Sequence, residues 1–391
     1  MVDEATNAPV RRTVVLTGIS SRAWEHPADR GALTALRELR GFDSVLKTLF
    51  SLWDERAFRL EQLASSIRVD HRQYPRVYQA WTDVARTLDV ADLPELYVRQ
   101  SPLFNAEAVG LDHPFVVVNS ACLTQLDDDE LRALLGHELG HVLSGHALYR
   151  TLLDLLTRWV MGFSWLPGTE FTARIITAAM YEWWRKAELS ADRAGLLAGQ
   201  DPAASLRLLM KLAGGGDLSQ IDTTAFLEQA AEYESTGDLR DSLIKVRMRT
   251  FTTHPVPVSR AAHLRRWVDA GEYRRVLSGD YPRRADDAEA SVSEAARSAA
   301  SEYRRAFGES QDPLVSLLRR AGGSAGQMGG WAGENAAKAA RRAGEAARSA
   351  ADAFRNGAAA SSPSSSGAAQ PDDDVVDVDV DVDADVSDDD A

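Results

Sequence analysis

Cysteine is almost absent from the chain: Cys122 is the only one in 391 residues. No intrachain disulfide can form, and a thiolate-rich metal site is excluded, so any bound metal must draw on histidine and carboxylate groups. Long apolar runs are missing too. The most apolar stretch, Leu152 to Trp184, is interrupted by Asp154, Arg158, Glu170, Arg174 and Glu182, and its longest uncharged run is the 11 residues Trp159 to Thr169. That is too short to cross a bilayer as a helix. Residues Met1 to Thr17 mix Asp3, Glu4, Arg11 and Arg12 with short apolar pieces and lack the continuous apolar segment of a secretory signal. The expected location is the cytoplasm. Positive charge is also in short supply, with 44 Lys and Arg against 58 Asp and Glu, a net charge of −14. The last 20 residues hold 11 aspartates and no Lys or Arg, which leaves −3 for residues 1 to 371. Such a balanced body gives no reason to expect nucleic acid as a partner, which would call for a clustered basic surface.

What is present is enough apolar material, 45% of residues, for one large globular domain or two ordinary ones. Composition changes near Pro282, where Trp, Tyr, Leu and Ile give way to Ala, Ser, Gly and Arg. Residues 1–90 read as an N-terminal helical part, 91–282 as the core of the globular body, 283–360 as an Ala/Arg-rich helical or flexible appendage and 361–391 as a disordered acidic tail. Within the appendage, Leu314 to Leu318 carries helix-start punctuation in Asp312 and Pro313. Glu334 to Arg355 is a good helix former without large apolar residues for a packed face.

In the body, Leu33, Leu36 and Leu39, then Val45, Leu46, Leu49 and Phe50, recur at helical spacing, and Val77 to Leu88 reads similarly. Pro94 to Gln100 and Phe115 to Asn119 are short, rich in Val, Leu and Tyr, and read as two neighbouring strands. Asp127 three residues before Glu130 is a helix-capping signature, followed by Leu131, Leu134, Leu135 and Leu139 on one face. A helix is expected from near Asp128 through His146. The fold class that follows is α+β, mostly helical with a small β-sheet.

That helix carries His137-Glu138-Leu139-Gly140-His141. A spacing of four places both imidazoles on one face a turn apart, where their ring nitrogens can share one zinc ion while Glu138 projects beside them as a base for water. Metal-assisted hydrolysis is the chemistry this suits. A longer form of the motif with a third histidine is excluded, because it requires Gly and His where Ser144 and Ala147 stand. His146 falls on a different face, away from ligation, and its removal is expected to leave zinc binding nearly intact. A third ligand is better sought in Glu188-Leu189-Ser190-Ala191-Asp192-Arg193-Ala194-Gly195. Glu188 and Asp192 are four apart on a second helix, so one carboxylate can ligate the metal while the other accepts the N–H of a ligand histidine. Cys122, after a strand and before an apolar position, reads as a small core residue. Tyr181, Trp183 and Trp184 are expected to pack against the metal-bearing helices.

The His-Glu-Leu-Gly-His helix, the later Glu188 to Gly195 segment, Asn105-Ala106 before the Phe115 strand, and Thr253-His254-Pro255 followed by Arg260 together resemble the HtpX-like and CAAX-prenyl-protease-like zinc metallopeptidases. The likeness covers roughly residues 90–267. It implies a zincin-like fold of the gluzincin type, with one Zn2+ held by His137, His141 and Glu188, and Glu138 as general base. Asp192 would stand behind a ligand histidine, Asn105 and Ala106 on an edge strand would align a peptide, and His254 would stabilise the oxyanion. The expected function is zinc-dependent endoproteolysis of protein or peptide substrates. Two alternatives remain open at this level. One is a zinc-stabilised scaffold without turnover, and the other is a protease in peripheral contact with the inner face of a membrane through its C-terminal appendage.

Overall fold

A computed structural model describes residues 13–37, 55–162, 170–235 and 256–287. They belong to the first of two compact units, Met1–Ala332. The expectations for Val45 to Phe50, His254, the Leu314 to Leu318 segment, the Ala-rich segment and the acidic tail lie outside the described residues.

In chain order the elements are α1 (Pro27–Arg37), α2 (Glu55–Ser65), β1 (Ile67–Arg68), α3 (Pro75–Thr87), β2 (Leu96–Arg99), β3 (Ala106–Val109) and β4 (Phe115–Asn119). There follow α4 (Ser120–Gln125), α5 (Asp128–Leu143), α6 (His146–Gly162), α7 (Glu170–Gly199), α8 (Pro202–Gly214), α9 (Thr223–Ser235), α10 (Pro257–Asp269) and α11 (Glu272–Leu277). Helix thus dominates, with one small sheet, and the α+β class is the one observed. Among the described residues no helix is long and apolar enough to cross a membrane.

The four strands lie in the order β1-β2-β4-β3. β2 runs parallel to β4 with Leu96 opposite Val116, and β3 runs antiparallel to β4 with Ala106 opposite Val118. All five residues of β4 are buried. Its Phe-Val-Val-Val run explains this, because a strand covered on both faces needs apolar side chains at every position rather than at alternate ones. Val116 and Val118 join the main core with Leu131, Leu135 and Leu139 of α5. Tyr97, Val109, Phe115 and Val117 pack on the opposite face with Phe58 of α2. β3, at one end of the sheet, is a strand that the periodicity of the sequence alone does not reveal, since Ala-Glu-Ala-Val is short and weakly apolar.

α5 begins as its sequence dictates. Asp127 accepts from the Glu130 amide at 2.8 Å while the Glu130 carboxylate accepts from the Asp127 amide at 3.0 Å, a reciprocal cap. It ends earlier than expected. The helix stops at Leu143 rather than continuing through His146, because Gly145 takes a left-handed conformation (φ +70°) and its amide donates back to the Val142 carbonyl. His146 instead opens α6 on a new axis.

α5 and α7 pack closely because small residues face each other. A Cβ built on Gly195 would lie 2.6 Å from the Ala133 carbonyl oxygen and 3.2 Å from the His137 amide nitrogen, and one on Gly140 would lie 2.5 Å from Ala194 Cβ. Backbone therefore meets backbone beside His137. Gly195→Ala should destabilise the metal-free protein by about 1–3 kcal/mol, the usual cost of overpacking a dense core. Gly199→Ala, whose added Cβ meets only ordinary contacts of 3.5 Å or more, should stay within about 1 kcal/mol of wild type. Thermal denaturation of the two variants side by side checks this, and equal stability would contradict it.

Candidate metal centre and active site

The close contact between α5 and α7 brings four groups together. His137 Nε2 and His141 Nε2 lie 3.1 Å apart. The Glu188 carboxylate faces both, with Oε1 3.4 Å from His141 Nε2 and Oε2 3.7 Å from His137 Nε2. Glu138 sits between the histidines in sequence, on the same buried stretch of α5. Among the described residues, His137, His141 and Glu188 form the group whose donor atoms converge closely enough to hold a metal ion. A tetrahedral zinc with ligands at about 2.0–2.1 Å requires ligand atoms about 3.3 Å from one another, and the observed separations bracket that value.

Charge supports the same reading. Counted as ionised, the buried carboxylates of Glu188 and Asp192 exceed the one guanidinium of Arg260 that pairs with both, which leaves negative charge beside the histidines for a cation to balance. Burial above all drives His141 down to about 3, so its ring is neutral and offers a lone pair at ordinary pH.

Asp192 stands behind His137, its Oδ1 3.0 Å from Nδ1. This fixes which nitrogen faces Glu188: with Nδ1–H donating to the carboxylate, Nε2 is left as the acceptor. Burial alone would raise Asp192, but Arg260 reverses that, donating from Nε at 2.8 Å and Nη2 at 2.5 Å, and holds the carboxyl at about 2. Arg260 Nη1 also reaches Glu188 Oε2 at 2.7 Å. One guanidinium from α10 therefore clamps the two carboxylates of α7, a planar fork suited to the task. Nothing in the local sequence of α10 assigns Arg260 this place, because its partners lie 68 and 72 positions earlier in the chain.

His146 is not where its spacing suggested. It is 2% exposed, and its Nδ1 lies 3.0 Å from His141 Nδ1. The break at Gly145 swings the residue back over the helix it was expected to extend. Its Nε2 lies 3.0 Å from Asp29 Oδ2. Burial lowers the ring's pKa, yet Asp29 outweighs it and raises the net value. Trp184 stacks on His141 at 4.7 Å between ring centres, and Trp183 meets His146 edge-on at 5.7 Å, so these aromatics wall in the histidines as expected.

Two small clefts meet at Glu138. One is lined by Phe104, Leu134, Leu208, Leu209, Leu212 and Cys122, the other by Glu107, Ala108, Arg150 and Trp184, and Asn105, Ala106 and Glu138 belong to both. Ala106 opens β3, and Asn105 is anchored just before it, its carbonyl accepting from the Asn119 amide at 3.0 Å. The buried side-chain oxygen Oδ1 of Asn105 has no hydrogen-bond partner among the described residues. Cys122 is a core residue, its thiol pushed up by burial to about 12 and so inert as a nucleophile.

A helix-borne pair of histidines with an intervening glutamate, completed by a glutamate from α7, defines a metallopeptidase-like centre. The chain matches peptidase family M48 over residues 71–268, and it belongs to that family, whose members are metal-dependent peptidases. It is 34% identical over 260 residues to the plastoglobule-localized metallopeptidase 48 of Arabidopsis thaliana, covering 65% of this chain and 74% of that one. It is 26% identical over 269 residues to protease HtpX of Ectopseudomonas mendocina, covering 61% and 88% of the two chains. With an HtpX homolog of Bacillus subtilis the figures are 28% over 200 residues, 44% and 63%. No solved structure matches.

Half-buried His26 and buried His141 carry a pH prediction. Burial first, then Arg193, His263 and Lys186, drives His26 down to about 3, as burial does for His141. The unfolded chain takes up protons at both positions below about 6.5, whereas the fold does not until about 3, so stability is lost as pH falls across that window. Asp192 adds to the loss below its ordinary value, and His146, shifted upward, opposes it with a single proton. Urea midpoints of the metal-free protein should therefore be lower at pH 4.5 than at pH 7.5; a flat or rising midpoint would contradict the assignment.

Proposed function

We propose that the chain is a zinc-dependent metalloendopeptidase that cleaves internal peptide bonds of protein substrates. The observation that carries this reading is the convergence of His137 Nε2, His141 Nε2 and Glu188 around one point beside Glu138, at the junction of two clefts. One zinc per chain would be held by His137, His141 and Glu188. Zinc, when bound, supplies polarisation of the scissile carbonyl and lowers the pKa of water toward about 7.

The chain's own residues do the rest. Glu138 takes the proton of the attacking water and delivers it to the leaving amine, so that the carbon–nitrogen bond breaks to give a free carboxyl and a free amino terminus. Its place on the wall of both clefts lets it reach the two sides of the scissile bond. Asp192 keeps the Nδ1 proton on His137, and Arg260 keeps Asp192 ionised while pairing with Glu188. β3 serves as the guide along which an extended peptide is laid, in the manner of strand addition. The partnerless Oδ1 of Asn105 accepts a substrate N–H at the point where the clefts meet. His254, outside the described residues, is the proposed donor to the oxyanion.

Glu138→Gln should bind zinc as wild type does and lose hydrolysis of unfolded casein by at least about 10²-fold, the lower range for removing a general base. Glu188→Ala should lose both zinc and activity. Asp192→Ala should lose on the order of 10–100-fold in affinity or activity, as removal of a partner behind a ligand does. Retained activity in the Glu138 variant would overturn the mechanism, and zinc retained by Glu188→Ala would overturn the ligand set.

A further inference from the structure

The two histidines of the proposed metal centre are held from behind in different ways. His137 is backed directly by the Asp192 carboxylate. His141 is backed by another histidine, and the carboxylate stands one residue further out: His141 Nδ1 meets His146 Nδ1 at 3.0 Å, and His146 Nε2 meets Asp29 Oδ2 at 3.0 Å. All three side chains are buried. Asp29 is itself fixed, accepting from Trp183 Nε1–H at 2.9 Å and from Ser190 Oγ–H at 2.6 Å. Ser190 in turn accepts the His26 amide at 2.8 Å. Asp29 lies in the first turn of α1 and outside residues 71–268, the stretch that matches the family.

We propose that Asp29 and His146 are positioning residues that orient His141 through an Asp29–His146–His141 relay, so that the N-terminal helix completes the metal centre. Resting as it does on the ligand set proposed above, the relay has one consistent arrangement of protons, with His146 neutral, because a cation held at His141 would oppose the upward pull of Asp29 on the neighbouring ring. If His141 Nε2 ligates, His141 Nδ1 must carry hydrogen and donates to His146 Nδ1. His146 then carries its own hydrogen on Nε2 and donates to Asp29. Trp183 and Ser190 can only donate to Asp29 here, so the carboxylate remains an acceptor for His146. Removing Asp29 frees His146 to move its hydrogen to Nδ1, where it would meet the His141 N–H head on at 3.0 Å and displace the ligating ring. The sequence spacing that sets His146 aside as a ligand takes no account of its contact with His141.

The test compares the full-length chain with Asp29→Asn, His146→Ala, His146→Asn and Glu188→Ala. Zinc affinity is read by chelator competition, the ligand field by visible absorption of the cobalt-substituted protein, and the metal-free fold by circular dichroism and urea midpoint. His146→Ala should weaken zinc on the order of 10–100-fold, as loss of a hydrogen-bond partner behind a ligand does, and shift the cobalt bands. His146→Asn, whose Oδ1 falls near the site of Nδ1 and can accept from His141, should recover most of the affinity. Asp29→Asn should move both readouts in the same direction by less.

Unchanged affinity and cobalt bands in Asp29→Asn and His146→Ala, with zinc lost in Glu188→Ala, would overturn the relay and leave the ligand set standing. Zinc retained by Glu188→Ala would remove the ligand set itself. Affinity that falls only in step with metal-free stability, without recovery in His146→Asn, would make His146 structural and also overturn the relay. Should His146→Ala fail to fold, the isosteric Asp29→Asn decides by the same readouts.

Discussion

The close approach of α5 to α7 is the constraint on which the site depends. Gly140 and Gly195 let the two helices meet without side chains between them, and Gly195 sits against the backbone of His137 itself. Only at this distance can carboxylates on α7 reach imidazoles on α5. The rest of the scaffold serves the same end. The sheet buries one face of α5 through Val116 and Val118, the Asp127–Glu130 cap fixes where the helix begins, and Gly145 fixes where it ends. That ending matters as much as the beginning, because it turns His146 back toward His141.

Burial makes the electrostatics severe. Glu188 is fully buried, and a carboxylate so placed is tolerated only when charge of the opposite sign is held against it. Arg260 does this for Glu188 and Asp192 together, and a divalent cation would balance what remains. The neutral state of His141 and the depressed pKa of Asp192 are two sides of this arrangement: bases kept free of protons in a place where a metal can compete for them. Asp29, anchored by Trp183 and Ser190, extends the network to the N-terminal helix.

The sequence makes much of this legible, for identifiable reasons. The spacing of His137 and His141 is local, and so is that of Glu188 and Asp192, so helical periodicity suffices to place each pair on a face. The family likeness joins the two pairs. The Asp127 cap and the Val-rich β4 are equally local. What escaped periodicity is what depends on tertiary contact: the strand β3, too short and weakly apolar to announce itself; Arg260, whose partners are on another helix; and Asp29, more than 100 positions before the histidines it serves. His146 shows the limit most clearly. Helical spacing presumes an unbroken helix, and a single left-handed glycine before His146 changes its neighbours entirely.

The central claim is that one zinc ion is held by two imidazoles and a carboxylate. X-ray absorption at the zinc edge of the metal-loaded full-length chain tests it most directly, because imidazole rings, carboxylate oxygens and thiolates scatter differently. The result expected is one zinc per chain in a shell of nitrogen and oxygen at about 2.0–2.1 Å, with the outer scattering of two imidazoles and no sulfur. A shell with three imidazoles would put a third histidine in the place of Glu188, and a thiolate sulfur would bring in Cys122, the one cysteine of the chain. Either would contradict the site described.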